Sequence, residues 1–164
     1  MIYILSSIAL LAISVLPAFA GRGKERGLEI VRESEELRLE ARKNPEGKWT
    51  IGYGHTEDVY AGMEITEEEA ERFLKHDWRK AEKIVERVVK APLTESQKAA
   101  LTSFTLNLGE SNLRWLVDRP NRLNSGNYDS VRQWLPRYVY LNKKKLKKLE
   151  SRRKKELNLW RYGK

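Results

Sequence analysis

Residues 2–20 contain no charged side chain and are dense in Ile, Leu, Val and Ala, whereas charges are frequent from Arg22 onward. As a helix this run would span roughly 28 Å at ~1.5 Å per residue, just enough for the hydrocarbon core of a bilayer. A buried core helix rarely meets so sharp a charge boundary, so the soluble fold is expected to be built from residues 21–164. The run ends Pro17-Ala18-Phe19-Ala20-Gly21, an A-x-A pattern that a signal peptidase can cut after Ala20. A cleaved signal peptide and an uncleaved N-terminal anchor are both open readings. No Lys or Arg precedes the run, while Arg22, Lys24 and Arg26 follow it, an arrangement that works against translocating what comes after. Export, periplasmic or extracellular, is still expected, with residues 2–20 as a membrane tether before any release.

What remains is enough for one domain with a core of its own. The chain has no cysteine and two histidines, His55 and His76. Disulfides, thiol nucleophiles and three-histidine zinc sites are thereby excluded, and neither a metal nor a cofactor is implied. The net charge of +9 comes from one end: residues 142–164 hold eleven Lys or Arg against Glu150 and Glu156. Such a tail is either a solvated helix face or a surface for a polyanion, meaning an anionic wall polymer or a membrane surface. Nucleic acid is not expected, since no recognition module accompanies the charge.

The soluble part reads as a helix, a short β segment and further helices. Leu28 and Val31 followed by Glu35 keep a 3–4 spacing, which predicts a short amphipathic helix over 27–37. Asn44-Pro45-Glu46-Gly47 is a turn. The β-branched, aromatic and glycine content of Trp49-Thr50-Ile51-Gly52-Tyr53-Gly54 predicts a tight hairpin. Thr66 with Glu69, and Thr94 with Gln97, are capping boxes that open two long helices. The first carries the stripe Ala70, Phe73, Leu74, Ala81, Ile84, Val85, Val88. A final basic helix places Leu146, Leu149, Leu157 and Trp160 on one side. The fold class is α+β, predominantly helical, with one small antiparallel sheet.

Three charged residues interrupt the apolar stripes: Glu35, Asp77 and Arg153, the last with Arg152 beside it. A charge at the edge of a core is costly unless paired. Ion pairing is the expected answer for Asp77. For Glu35, a carboxyl partly buried among apolar groups tends to keep its proton, which suits a general acid.

The residues after Glu35 sharpen that reading. Asn44 follows nine positions later and Thr50 six after that, within Thr50-Ile51-Gly52-Tyr53-Gly54-His55. This resembles the phage-type lysozymes, endolysins that cleave bacterial peptidoglycan, whose catalytic Glu, Asp or Cys, and Thr keep that spacing. The likeness continues through Ile65-Thr66 and Ala70 to Asp77, through residues 104–109, and through Arg152-Arg153-Lys154-Lys155-Glu156 to Trp160. It covers roughly 27–163.

The resemblance implies a two-lobed fold, with a hairpin-bearing small lobe, a long inter-lobe helix and a helical lobe. It implies Glu35 as general acid, Thr50 holding a water or intermediate on the far side of the sugar, and Thr56, Leu106 and Asn107 lining the saccharide cleft. His55 and Asp77 are expected to pair, tying hairpin to long helix. Glu35 is expected to face an arginine of the last helix, Arg152 by ungapped counting and Arg153 by the stripe alone. The implied activity is that of a monomeric muramidase acting on the N-acetylmuramic acid to N-acetylglucosamine β-1,4 bond. The departure is Asn44, where the family has Asp or Cys. An amide neither takes a proton from water nor attacks as a nucleophile. Glu40 and Glu46, close by, are the candidate replacements. The alternative is therefore a weakly active or inactive lysozyme-fold protein that binds peptidoglycan or another anionic surface.

Overall fold

A computed structural model describes residues 22–141 and 143–162; residues 2–20, expected to stay apart from the core, lie outside them. Among the described residues no helix is long and apolar enough to cross a membrane.

The chain runs α1 (Arg22–Ser34), β1 (Arg38–Lys43), β2 (Trp49–Gly52), α2 (Glu67–Val88), α3 (Glu95–Val117), α4 (Asp129–Trp134), β3 (Tyr140–Leu141), β4 (Lys144–Lys145) and α5 (Lys147–Tyr162), with 3-10 turns on either side of α4. Both capping boxes form, at Thr66 with Glu69 and at Thr94 with Gln97. They satisfy backbone donors that a helix start would otherwise leave bare. The helix α3 bends at Gly109, whose φ of 77° and ψ of 175° break the helical path.

Two cores account for two lobes. The smaller is built on Ile51, Ile65 and Ala70, with Val59, Met63 and Phe73 against it. The larger contains Leu28, Val31, Trp78, Leu101, Phe104, Leu113, Leu116, Leu123 and Leu135. The helix α2 supplies Ala70 to the first and Leu74, Trp78, Val85 and Val88 to the second. At ~1.5 Å per residue it is long enough to join them, and is the expected inter-lobe helix.

Three expectations need correction. The first helix is displaced, starting at Arg22 and ending at Ser34, so Glu35 stands just past its end, with its N–H still donating to the Val31 carbonyl at 2.8 Å. The hairpin is not confined to 49–54. Its strands are β1 and β2, antiparallel with Arg42 opposite Thr50 and Lys43 opposite Trp49. The strand β1 reads Arg-Leu-Glu-Ala-Arg-Lys and is largely exposed, so it has no buried face for the sequence to advertise. Lastly, the basic tail is not one helix: Lys144 and Lys145 lie in β4, which pairs with β3, and α5 starts at Lys147.

Candidate active site

The start of the site is a turn held by one side chain. Asn44 Oδ1 accepts from the backbone N–H of Glu46 at 3.0 Å and of Lys48 at 2.9 Å. Its backbone N–H donates to the Lys48 carbonyl, and its carbonyl accepts from Gly47. Gly47 has a φ of 81°, a conformation that costs glycine little. Asn44 is thus the acceptor around which the hairpin turns, and its NH2 group is the part left to face a ligand. On β2, Thr50 Oγ1 donates to the Arg42 carbonyl at 3.1 Å. With its proton committed, the Thr50 oxygen is an acceptor toward the cleft.

After β2 the chain doubles back through Gly52 and Gly54, both at positive φ. Ile51 and His55 exchange backbone hydrogen bonds at 3.0 and 2.9 Å, which brings the His55 ring against α2. There its Nδ1 lies 2.8 Å from Asp77 Oδ2, and the ring stacks on Phe73 with centroids 4.4 Å apart. The expected tie between hairpin and long helix is formed. His76 Nδ1 lies 3.4 Å from the other Asp77 oxygen. Among the described residues, His55, His76 and Asp77 are the group that could hold a metal ion, with ligand atoms within 4.8 Å of one another. Both Asp77 oxygens are already engaged, one by each histidine.

Across the cleft, Glu35 receives two cations. Arg152 Nη1 donates to Oε1 at 2.6 Å, and Lys148 Nζ donates to Oε2 at 2.9 Å. The apolar surroundings expected of Glu35 are therefore a cationic setting instead, supplied by one face of α5. Of the two arginines proposed to face Glu35, Arg152 does so. Arg153 turns to Asn107 Oδ1, to which its Nη2 donates at 3.0 Å.

Both arginines are buried and converge on Glu156, which is itself fully buried. Glu156 Oε1 accepts from Arg152 Nε at 3.2 Å, Arg153 Nη2 at 3.0 Å and Ser103 Oγ at 2.7 Å. Arg153 Nε lies 2.9 Å from Oε2, but without hydrogen-bond alignment. Arg152 Nη2 donates to the Ser103 carbonyl at 3.0 Å. Two buried guanidinium groups thus share the buried Glu156, and Arg152 reaches from there to the part-buried Glu35, so that each charge taken out of water has an opposite partner. Burial pushes the Arg153 guanidinium below its usual range, with Glu156 opposing that shift.

A single cavity of about 320 Å³ joins these parts. Glu35, Asn44, Thr50, His55, Thr56, Asp77, Leu106, Asn107 and Arg152, every site residue expected from sequence, line it. Glu36, Arg38, Tyr53 and Lys148 line it too, and sequence reasoning missed them. Glu40 and Glu46 do not; both are exposed. A signal for Lys148 and Glu156 existed. Lys148, Arg152 and Glu156 are spaced four apart, and residues at that spacing share a helix face.

Known proteins give a consistent comparison. The family model described as Phage lysozyme matches residues 32–156. The endolysin of Acyrthosiphon pisum secondary endosymbiont phage 1 is 40% identical over 85 residues, 52% of this chain and 58% of that protein. The SAR-endolysin of Bacteriophage PS119 is 30% identical over 145 residues, 88% of this chain and 83% of that protein. Among solved structures, the muramidase domain of SpmX from Asticaccaulis excentricus superposes with a TM-score of 0.74 at 32% identity, covering 82% of this chain and 94% of that one. The chain thus spans little more than half of the first of these relatives and most of the other two.

Proposed function

Because this chain belongs to the phage lysozyme family, we propose that it is a peptidoglycan hydrolase of the muramidase type, cleaving the N-acetylmuramic acid to N-acetylglucosamine β-1,4 bond. One observation carries the reading. Glu35 and the pair Asn44 and Thr50 belong to different segments, yet line the same cavity with the cleft residues Thr56, Leu106 and Asn107. Glu35 gives its proton to the glycosidic oxygen as the C1–O bond breaks, and Arg152 keeps its carboxyl in place. Water adds to C1 and releases its proton to solvent.

Thr50, whose hydroxyl proton is held by Arg42, accepts a hydrogen from that water and so turns an oxygen lone pair elsewhere, toward the sugar. Asn44 contributes position without charge. An amide cannot form a glycosyl ester, so the position opposite Glu35 supports direct attack by water rather than a covalent intermediate. The missing carboxylate makes this a slow variant of the reaction. The purely binding alternative is not favoured, because the acid, its arginine and the water-holding hydroxyl are all retained.

The chain acts outside the cytoplasmic membrane in this reading. Residues 2–20 carry it there as signal or tether, and the basic residues of β4 and α5 favour an anionic wall or membrane surface. Purified peptidoglycan incubated with the protein should release reducing muramic acid ends, identified by mass, and Glu35→Gln should release none. Cleavage of a peptide or amide bond instead, or full activity in Glu35→Gln, would overturn the assignment.

A further inference from the structure

The two cations on Glu35 are unlike each other. The Arg152 side chain is 2% exposed and is fixed by Ser103 and Glu156 as well as by Glu35. The Lys148 side chain is 57% exposed, and among the described residues its hydrogen bond is to Glu35 Oε2. A general acid must carry its proton on an oxygen that faces the leaving group. Oε1 is committed to Arg152, so Oε2 is the oxygen left for that task. An ammonium has three donors and no acceptor, and it binds a carboxylate oxygen far better than a protonated one, so Lys148 and the proton compete for Oε2.

We propose that Lys148 is a specificity residue of this cleft: it occupies Glu35 Oε2 in the free protein and transfers to a carboxylate of the bound saccharide, releasing Oε2 for the proton. Of the other carboxylates lining the cleft, Asp77 is held by His55. Glu36 accepts two hydrogen bonds from Arg38 on one oxygen, Oε2, at 2.9 and 3.2 Å, and its other oxygen is exposed to water, where an ion pair with Lys148 gains little. A substrate carboxylate seated in the cleft is the stronger acceptor. Peptidoglycan brings carboxylates next to its scissile bond, on the peptide stem that a muramic acid carries or on the lactyl group where the stem is absent, whereas an uncharged glucosamine polymer brings none. The inference rests on the peptidoglycan hydrolase reading and adds to it a cause for preferring the charged polymer.

The charged groups around Glu35 are Arg152, Arg153 and Lys148 from α5, Glu36 and Arg38 before and in β1, and His55 with Asp77 from the hairpin loop and α2. Lys148 is the exposed cation in direct contact, so its removal frees Glu35 Oε2 with little cost to folding. For an exposed pair the effect on binding is about two- to fivefold.

The experiment compares wild type, Lys148→Met, Lys148→Arg and Lys154→Met on native peptidoglycan and on peptidoglycan whose carboxyls have been amidated. In Lys148→Met, KM should rise about two- to fivefold on the native polymer alone. Lys148→Arg should restore it, and Lys154→Met, an equal charge loss on an exposed part of α5 outside the cavity, should leave it in place. Co-sedimentation of the same variants with the two polymers reads the carboxylate preference independently of turnover. An unchanged KM on native polymer, or an equal loss on native and amidated polymer, would overturn the role of Lys148. Failure of the hydrolase reading would show instead as absent muramic acid ends in wild type, with the binding preference still measurable.

Discussion

Arg152 donates from Nη1 to Oε1 of Glu35 at 2.6 Å, across 117 positions of sequence. The contact closes α5 onto the end of α1 and makes the orientation of the acid a property of the whole helical lobe. Because the same guanidinium also serves Glu156 and Ser103, acid and core are coupled, and disturbing one disturbs the other.

Glu156 is the residue on which that coupling depends. Replacing it with Gln removes the buried negative charge on which both arginines converge, leaving Arg152 with Glu35 and Arg153 with the neutral Asn107. The expected loss is about 3–5 kcal/mol of stability, the usual cost of breaking a buried ion pair. Thermal unfolding measures it, and a change within about 0.5 kcal/mol would mean that the arginines are compensated by something other than Glu156.

Asn44→Asp should accelerate lysis. Its carboxylate can accept the same two backbone bonds that Asn44 Oδ1 accepts now, so the turn is preserved. It adds negative charge opposite Glu35, where a well-placed electrostatic group contributes roughly 10²–10³ in rate. Initial rates on one peptidoglycan preparation decide it. Unchanged rates in Asn44→Asp, together with collapse in Glu36→Gln, Glu40→Gln or Glu46→Gln, would show that another carboxylate already performs the step.

Gly27→Ala should destabilise the protein by about 1–3 kcal/mol. A Cβ at that position would come within 2.3 Å of the Trp78 ring, and Trp78 is fully buried in the larger core. A rigid indole cannot move aside as a flexible chain end could. Denaturant melts would show the loss, and an unchanged midpoint would mean that α1 can shift away from α2 without penalty.

The pair Arg32 and Glu71 ties α1 to α2 through two 2.9 Å hydrogen bonds, and should give stability an acid limb. The Arg32 hydrogen bonds hold the Glu71 carboxyl below its usual range, against an opposing effect of burial. A carboxyl lowered in the folded state contributes stability that is present above its unfolded pKa and lost as pH falls through the folded one. Stability should therefore decline below about pH 4, by about 1 kcal/mol for this half-exposed pair. Glu71→Gln should remove that portion of the decline and cost about the same amount at pH 7. Parallel curves for the two proteins from pH 2 to 7 would count against it.

The sequence alone determined the local structure wherever a signal is short-ranged. Thr66 with Glu69 and Thr94 with Gln97 mark their helix starts because a capping box is complete within four residues. The motif from Thr50 to His55, at its fixed distance from Glu35, pointed to the cleft through the family resemblance it carries, and its members lie between the end of α1 and the turn after β2. Asp77 announced a partner because a charge on an apolar stripe has to find one. Tertiary structure decided the rest. The exposed strand β1 has no buried face, so only its pairing with β2 reveals it. Whether Arg152 or Arg153 meets Glu35 depends on the rotation of α5 against α1 and α3, which a stripe read to within one residue leaves open. The cationic setting of Glu35 arises where segments more than a hundred residues apart meet, and the burial of Glu156 where α5 packs on α3, 53 residues away at Ser103. No local pattern encodes such a meeting, because its energy exists only once both sides are packed.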